Sequence, residues 1–380
     1  MRVLILGAGF GGLELATTLA NDAGDAVEVT LVDRAEGFVF GFSKLDVMFG
    51  RTTADHVLHR YTDLAPDGVR FVATTVRAID PAARRVETDA GPLDCDILVV
   101  ALGADLHPDA TPGLVEHGHE FYTVAGAFGL RDVLDTFPGG DVVVAVTSTP
   151  FKCPPAPSET ALLLHDHLRA RGLLDRSTVS LVMPLGVPIP PSPEASAVLL
   201  AEFERRGIAW HPGQLVRSVE PGRAVLGDGS EVPFDLLLAV PTHRAPDVVV
   251  ESGLAVDGWI PVDPLTLRTR FADVYAVGDV TSVGTPKAGV FAEGQAAVVA
   301  AQLVARARGE ASATTYDGRG ICYLEVGDDR VAKVDVTFVS GQAPAGDLVG
   351  PSTDLVADKT AFGAERVSRW FGREWTPSGR

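Results

Sequence analysis

Arg2-Val3-Leu4-Ile5-Leu6-Gly7-Ala8-Gly9-Phe10-Gly11-Gly12 is the stretch whose reading decides the fold. Arg2 to Leu6 is a short apolar run, the pattern of a strand buried on both faces of a parallel sheet. The glycines after it form a G-x-G-x-x-G turn. A helix from about Gly11 to Ala20 and a second strand from Val27 to Val32 complete a βαβ unit. In such a turn Gly7 permits the tight bend and Gly9 lets backbone approach a pyrophosphate. Gly12 lets the helix pack on the strand, so that the helix N-terminus faces the phosphates. Asp33 closes the second strand about 20 residues further on, where a carboxylate bonds a ribose hydroxyl and disfavours a 2′-phosphate. The same N-terminus also has the outline of a signal peptide, one basic residue before an apolar run. The glycine offsets and the amphipathic continuation favour the strand.

Composition narrows the classes. The chain has 380 residues with 46% hydrophobic content, enough for two packed domains. A formal net charge of −18 excludes nucleic acid as an expected partner, because a phosphate backbone is repelled. No run approaches the ~20 apolar residues of a membrane span. A cytoplasmic protein is the default expectation. The three cysteines, Cys95, Cys153 and Cys322, are too few and too dispersed for a disulfide scaffold or a zinc site. They are free thiols, or two of them form one redox pair. No metal is expected.

Further along, the apolar strand Ile97 to Ala101 runs into Leu102-Gly103-Ala104. A second βαβ start opens at Asp141, with a strand from Val142 to Val146, a Pro-rich turn, and a helix from about Ser158 to Ala170 that Gly172 stops. Val179 to Met183 reads as the next strand, Val216 to Pro233 as a hairpin region, and Leu236 to Val240 as an apolar strand. Val274 to Val277 leads into Gly278-Asp279, and a long helix follows from roughly Gly289 to Arg308. The last ~60 residues read as a separate region with strands around Cys322 and at Val334 to Val339 and a helix from about Ala361 to Trp375.

Asp273-Val274-Tyr275-Ala276-Val277-Gly278-Asp279 places a carboxylate at the carboxyl edge of the sheet, where α/β folds bind ligands. The GAGFGG turn, Asp33, the ALGA strand end and the AVGD segment, in that order, resemble the FAD-dependent pyridine nucleotide-disulfide oxidoreductases over roughly the first 310 residues. The resemblance implies FAD, with Gly278 and Asp279 at its ribityl and pyrophosphate. It also implies that the helix from Gly289 points its N-terminus at the flavin pyrimidine, where it stabilises reduced flavin.

The second βαβ departs from that pattern. A nicotinamide-binding member carries another glycine-rich turn after the strand. Here Thr147-Ser148-Thr149-Pro150-Phe151-Lys152-Cys153-Pro154-Pro155-Ala156-Pro157 contains no glycine, so backbone does not readily approach a pyrophosphate. PFKCPPAPSE resembles the redox-cysteine segment of sulfide:quinone oxidoreductases and of the flavoprotein subunit of flavocytochrome c sulfide dehydrogenases. That resemblance implies a partner cysteine, Cys322, a proton-accepting Glu159, and Lys287 as a cation near the flavin. Lys152 and the following helix N-terminus both favour a thiolate at Cys153. Cys95 reads as structural, His165 and His167 as surface or packing residues of a helix, and His243 either reaches the site or lies in a solvated loop. Val39 to Met48, the flavin-facing segment, holds no cysteine for covalent attachment.

The expectation is an α/β protein with two Rossmann-like dinucleotide-binding domains and a small C-terminal region. The FAD domain is discontinuous (1–107 and 245–315), the second domain with its degenerate loop is 108–244, and the C-terminal region is 316–380. HS⁻ attacks a Cys153–Cys322 disulfide or polysulfide, and electrons pass through the flavin to a quinone or another acceptor. The alternatives are a type II NADH:quinone dehydrogenase-like flavoprotein and a flavin redox sensor without turnover. A homodimer and a weak peripheral membrane contact are further expectations. Val367, Trp370, Phe371 and Trp375, flanked by Arg366, Arg369 and Arg373, suit an interfacial helix; packing on the chain's own domain is the competing reading.

Overall fold

The computed structural model describes residues 1–377. Two five-stranded sheets dominate it. The first runs Val274–Ala276, Ile97–Val100, Arg2–Leu6, Glu28–Asp33, Val69–Ala73, with every neighbouring pair parallel. The second runs His119–Glu120, Leu236–Val240, Asp141–Val146, Thr178–Met183, Ala209–Pro212, again all parallel. Val3 to Leu6 and Ile97 to Val100 are buried at every position, as strands covered on both faces must be. Asp105–His107 and Thr242–Arg244 pair antiparallel where the chain passes between the two sheets.

The Rossmann-type sheets agree with the sequence reading, and the expected helices at Gly11, Ser158 and Gly289 form as Phe10–Ala23, Ala156–Ala170 and Gly289–Ala307. A helix at Pro193–Arg206, unanticipated, has local signals: the Ser192 hydroxyl accepts from the Ala195 N–H, Pro193 opens the first turn, and Gly207 closes it at φ +68°.

The C-terminal region departs from expectation. Its helix is Leu355–Phe371 rather than Ala361 to Trp375, ending at Gly372 in the left-handed region. Among the described residues the region has no core cluster of its own. Leu324, Val334 and Val336 of its three-stranded sheet (Arg319–Gly327, Arg330–Thr337, Ala345–Ser352) pack into the core of the second Rossmann sheet. Val367, Trp370, Phe371 and Trp375 pack into the core of the first. The last segment is therefore a clasp across both sheets. Arg206, almost wholly buried, ties it down by pairing with Asp166, Glu202 and Asp328.

Candidate active site at the sheet edges

The three motif glycines of the first turn do three different jobs. Gly7 sits at φ +100°, and a Cβ there would lie 2.4 Å from the Ala101 carbonyl oxygen. A Cβ on Gly12 would lie 1.8 Å from the Gly7 carbonyl oxygen, so Gly12 sets the distance between helix and strand. A Cβ on Gly9 would meet nothing within 4 Å, because Gly9 faces a cavity of about 810 Å³. Asp33 also lines that cavity, and its carboxylate accepts the N–H groups of Ala8 (2.7 Å) and Ala35 (2.8 Å). The turn is thus held by the same side chain that the sequence marks for a ribose.

The far side of the cavity is built by the segment 277–289. Gly278 (φ +80°) donates its N–H to Gln295 Oε1 at 2.7 Å. The Asp279 carboxyl is pushed above its ordinary range by burial. Lys287 Nζ donates to the Asp279 and Thr281 carbonyls at 2.6 and 3.1 Å and sits 3.3 Å from the Trp259 ring centre, a cation–π contact. Burial brings Lys287 down to about 8. Gly289 opens its helix against Phe10, whose ring a Cβ would strike at 2.5 Å. Neither the helix at Phe10 nor the helix at Gly289 has a side-chain cap, and both N-termini face the one cavity.

The same cavity reaches both Cys153 and Cys322. The Lys152–Cys153 turn is zipped onto the segment before Gly289: Lys152 bridges Lys287 in parallel, and Cys153 N–H donates to the Lys287 carbonyl at 2.7 Å. Cys153 adopts φ +48°, a conformation that costs a non-glycine residue about 1–3 kcal/mol and that clusters at functional sites. Glu159, on the first turn of the Cys153 helix, is buried and accepts the Glu325 N–H at 2.8 Å. Burial, reinforced by the charge of Glu325 and opposed by Lys359 and Arg51, lifts its carboxyl to about 7. It interacts electrostatically with both thiols.

Several expectations are corrected here. Lys152 does not supply the field at Cys153; its ammonium donates to the Ala104 carbonyl at 3.1 Å. The cation whose charge acts on the sulfur is Lys44, which lines the same cavity and which the sequence reading passed over within the segment Val39 to Met48. Nor is Cys153 a ready thiolate. Cys153 is exposed where it opens onto the cavity, yet burial among the surrounding walls raises the thiol well above its usual range against the help of the Ala156 amide and Lys44. Burial and Glu159 raise Cys322 to about 12. His243 is no solvated loop residue. It is buried, paired through Nδ1 with the Pro241 carbonyl, set edge-on to Tyr122 and depressed to about 3 by burial. Cys95 is buried away from the cavity with its sulfur on the Arg84 carbonyl, and His165 pairs with Arg206, so both are structural as expected.

The interfacial reading of the last helix also fails. Val367 and Trp370 are 0% exposed, and the flanking arginines pair inward, Arg366 with Glu293 and Arg369 with Glu14. Trp370 closes edge-on against Phe10 and Phe38 and bonds Glu14, directly behind the glycine turn. Among the described residues no helix is long and apolar enough to cross a membrane.

Comparison with known proteins agrees with this architecture. The mouse mitochondrial sulfide:quinone oxidoreductase is 26% identical over 356 residues, covering 89% of this chain and 78% of that protein. A type II NADH:quinone oxidoreductase of Staphylococcus epidermidis is 36% identical, but over 139 residues, 36% of this chain and 35% of that one. The solved sulfide:quinone oxidoreductase of Aquifex aeolicus has the same fold, with a TM-score of 0.86 at 21% identity, covering 97% of this chain and 91% of that one. The pyridine nucleotide-disulphide oxidoreductase family matches residues 1–147 and 158–309, and the gap between them, 148–157, is the turn that carries Cys153. With a match over most of its length, interrupted only where the second glycine turn has been replaced, the chain belongs to the pyridine nucleotide-disulphide oxidoreductase family.

Proposed function

We propose that this chain is an FAD-dependent oxidoreductase that oxidises sulfide, or a related small sulfur species, through Cys153 and Cys322 and passes the electrons to a quinone. One observation carries the reading: a single cavity joins the glycine turn, the Gly289 helix and both cysteines. The residues present fit FAD. Gly9 leaves open the volume that a Cβ would occupy, and two uncapped helix N-termini face the same space. The Gly7–Gly12 turn would hold the pyrophosphate, Asp33 a ribose hydroxyl, Gly278 and Asp279 the ribityl side, and the Gly289 helix the pyrimidine edge. When bound, FAD supplies a two-electron acceptor beside the cysteines.

The chain's own residues then do three things. The oxidised cysteine pair receives the attacking HS⁻. Glu159 has one carboxylate oxygen engaged by the Glu325 amide and sits on the cavity wall, where it takes up the proton that the sulfur sheds. Lys287 anchors the Gly278–Thr281 turn, which would line the flavin site, through two carbonyls. The alternative electron donor, NADH, would need a phosphate-binding turn, and Thr147 to Pro157 offers prolines and Cβ atoms in its place. A quinone is membrane-borne, so its encounter with the chain is peripheral, at a surface other than the buried Trp370 face.

The deciding experiment is an anaerobic titration of the flavin-loaded protein with sulfide and with NADH. Sulfide should bleach the flavin faster. Cys153→Ser and Cys322→Ser should each slow that bleaching by orders of magnitude while leaving dithionite reduction intact, and Cys95→Ser should do little. If both active-site variants bleach as wild type does, or NADH is the faster reductant, the function is that of an NADH dehydrogenase.

A further inference from the structure

We propose that Lys44 is the anion-binding residue of the sulfur site, holding the incoming hydrosulfide and neutralising the thiolate that forms on Cys153. This rests on the sulfur chemistry assigned to that site. Lys44 belongs to the helix Gly41–Met48 and reaches the wall of the shared cavity. Its ammonium donates to the Tyr122 carbonyl, and the Tyr122 hydroxyl reaches the Cys153 carbonyl at 3.4 Å. Lys44 and the Cys153 turn are therefore pinned to the same residue.

Among the described residues, no carboxylate lies within ion-pair distance of Lys44. The nearby Glu120 spends its oxygens on the Tyr122 and Thr123 amides and the Thr123 hydroxyl. An ammonium has three donors; besides the Tyr122 carbonyl, Lys44 has only a distant cation–π contact, 5.9 Å from the Tyr122 ring centre, so among the described residues two donors lack a hydrogen-bond partner. Burial and the like charge of Lys152 bring Lys44 down to about 8, so an anion arriving beside it relieves an existing cost. The other groups facing Cys153 are Glu159, Cys322 and Tyr122, all of which oppose or do not supply positive charge. His243, depressed to about 3, is neutral. Lys287 turns its ammonium to the Asp279 and Thr281 carbonyls.

The two-electron oxidant is the oxidised Cys153–Cys322 pair of the sulfide-oxidising cycle, whose two members are free thiols in this structure. HS⁻ attacks the Cys322 sulfur, an S–S bond forms there, and the Cys322–Cys153 bond breaks. The electron pair and the negative charge leave on Cys153, beside Lys44, and sulfide is oxidised to a persulfide. The persulfide proton passes to Glu159.

The test is alkylation of reduced, flavin-loaded protein, with Cys153 followed by peptide mass spectrometry. Lys44→Met should slow iodoacetamide labelling of Cys153 at pH 8 by about tenfold or more, one unit of pKa or greater, and Lys44→Arg should restore it. In the wild type, the rate ratio of anionic iodoacetate to neutral iodoacetamide at Cys153 should exceed that of a small free thiol. Labelling of Lys44→Met at the wild-type rate overturns the proposal. If that variant fails to load flavin, a wild-type ratio no higher than that of the free thiol does so. Because no sulfide or turnover enters this assay, its failure is separable from failure of the sulfide-oxidising function.

Discussion

Gly9 and Gly12 are separated by one helical turn, yet replacing each with alanine should fail in opposite ways. At Gly9 the backbone is extended at φ −77° and the new Cβ meets no atom within 4 Å. Restricting the unfolded chain at a compatible glycine contributes about 0.4–1 kcal/mol, and loss of a tolerated N-cap glycine costs a similar amount. The two offset, so the apoprotein's stability should change by less than about 1 kcal/mol. The methyl nevertheless stands where the pyrophosphate would approach, so flavin content should collapse. At Gly12 the Cβ lies 1.8 Å from the Gly7 carbonyl oxygen and 3.0 Å from its carbon. Both are backbone atoms, so the helix must move off the strand by more than an ångström. Overpacking of that kind costs about 1–3 kcal/mol and often more. The assay is thermal unfolding of flavin-stripped protein by circular dichroism, alongside the flavin-to-protein absorbance ratio of the purified variants. Gly9→Ala should keep its melting temperature and lose its flavin; Gly12→Ala should lose both. A Gly9→Ala protein that loads flavin stoichiometrically, or that melts as low as Gly12→Ala, refutes the division of labour.

Sulfide-driven bleaching by the wild type should fall as pH drops through about 7 and Glu159 becomes protonated, and Glu159→Gln should flatten that acid limb. The linked stability runs the other way. Folding raises this carboxyl from 4.5 to about 7, so its favourable contribution is complete below the unfolded value and is lost as pH rises through 7. Glu159→Gln should therefore raise the melting temperature more at pH 8 than at pH 5. Trp370→Ala should destabilise the protein by about 3–5 kcal/mol, because it removes a fully buried ring from behind the glycine turn. Replacing the exposed Arg373 with Glu should leave liposome flotation unchanged, and flotation that is lost with that charge would restore an anchoring role for the C-terminal segment. Acid precipitation should leave the flavin in the supernatant, since the segment from Val39 to Met48 contains no cysteine.

Much of the fold was legible because it depends on local rules. The apolar runs at Arg2–Leu6 and Ile97–Val100 had to be buried parallel strands, and the glycine offsets dictated the turn between strand and helix. The C-terminal helix was misjudged because amphipathic periodicity says that one face is covered without saying by what. Trp370 and its arginines fit a lipid surface as well as they fit Phe10, Glu14 and Glu293.

The loss of the second glycine turn came from residue types alone, while the Cys153–Cys322 pair and the role of Glu159 came from the resemblance of PFKCPPAPSE to a redox-cysteine segment. That loss is a statement about which chemistry the backbone can carry at a given position. Which charge meets which was decided only by tertiary packing. Lys152 adjoins Cys153 in the chain but spends its ammonium on Ala104, while Lys44, more than a hundred residues earlier, lines the same cavity as the sulfur and lends it its charge. Sequence adjacency fixes only where a Cα lies. A long side chain's charged end settles wherever folding places acceptors and shields it least from water, and that follows from segments brought together from the whole chain.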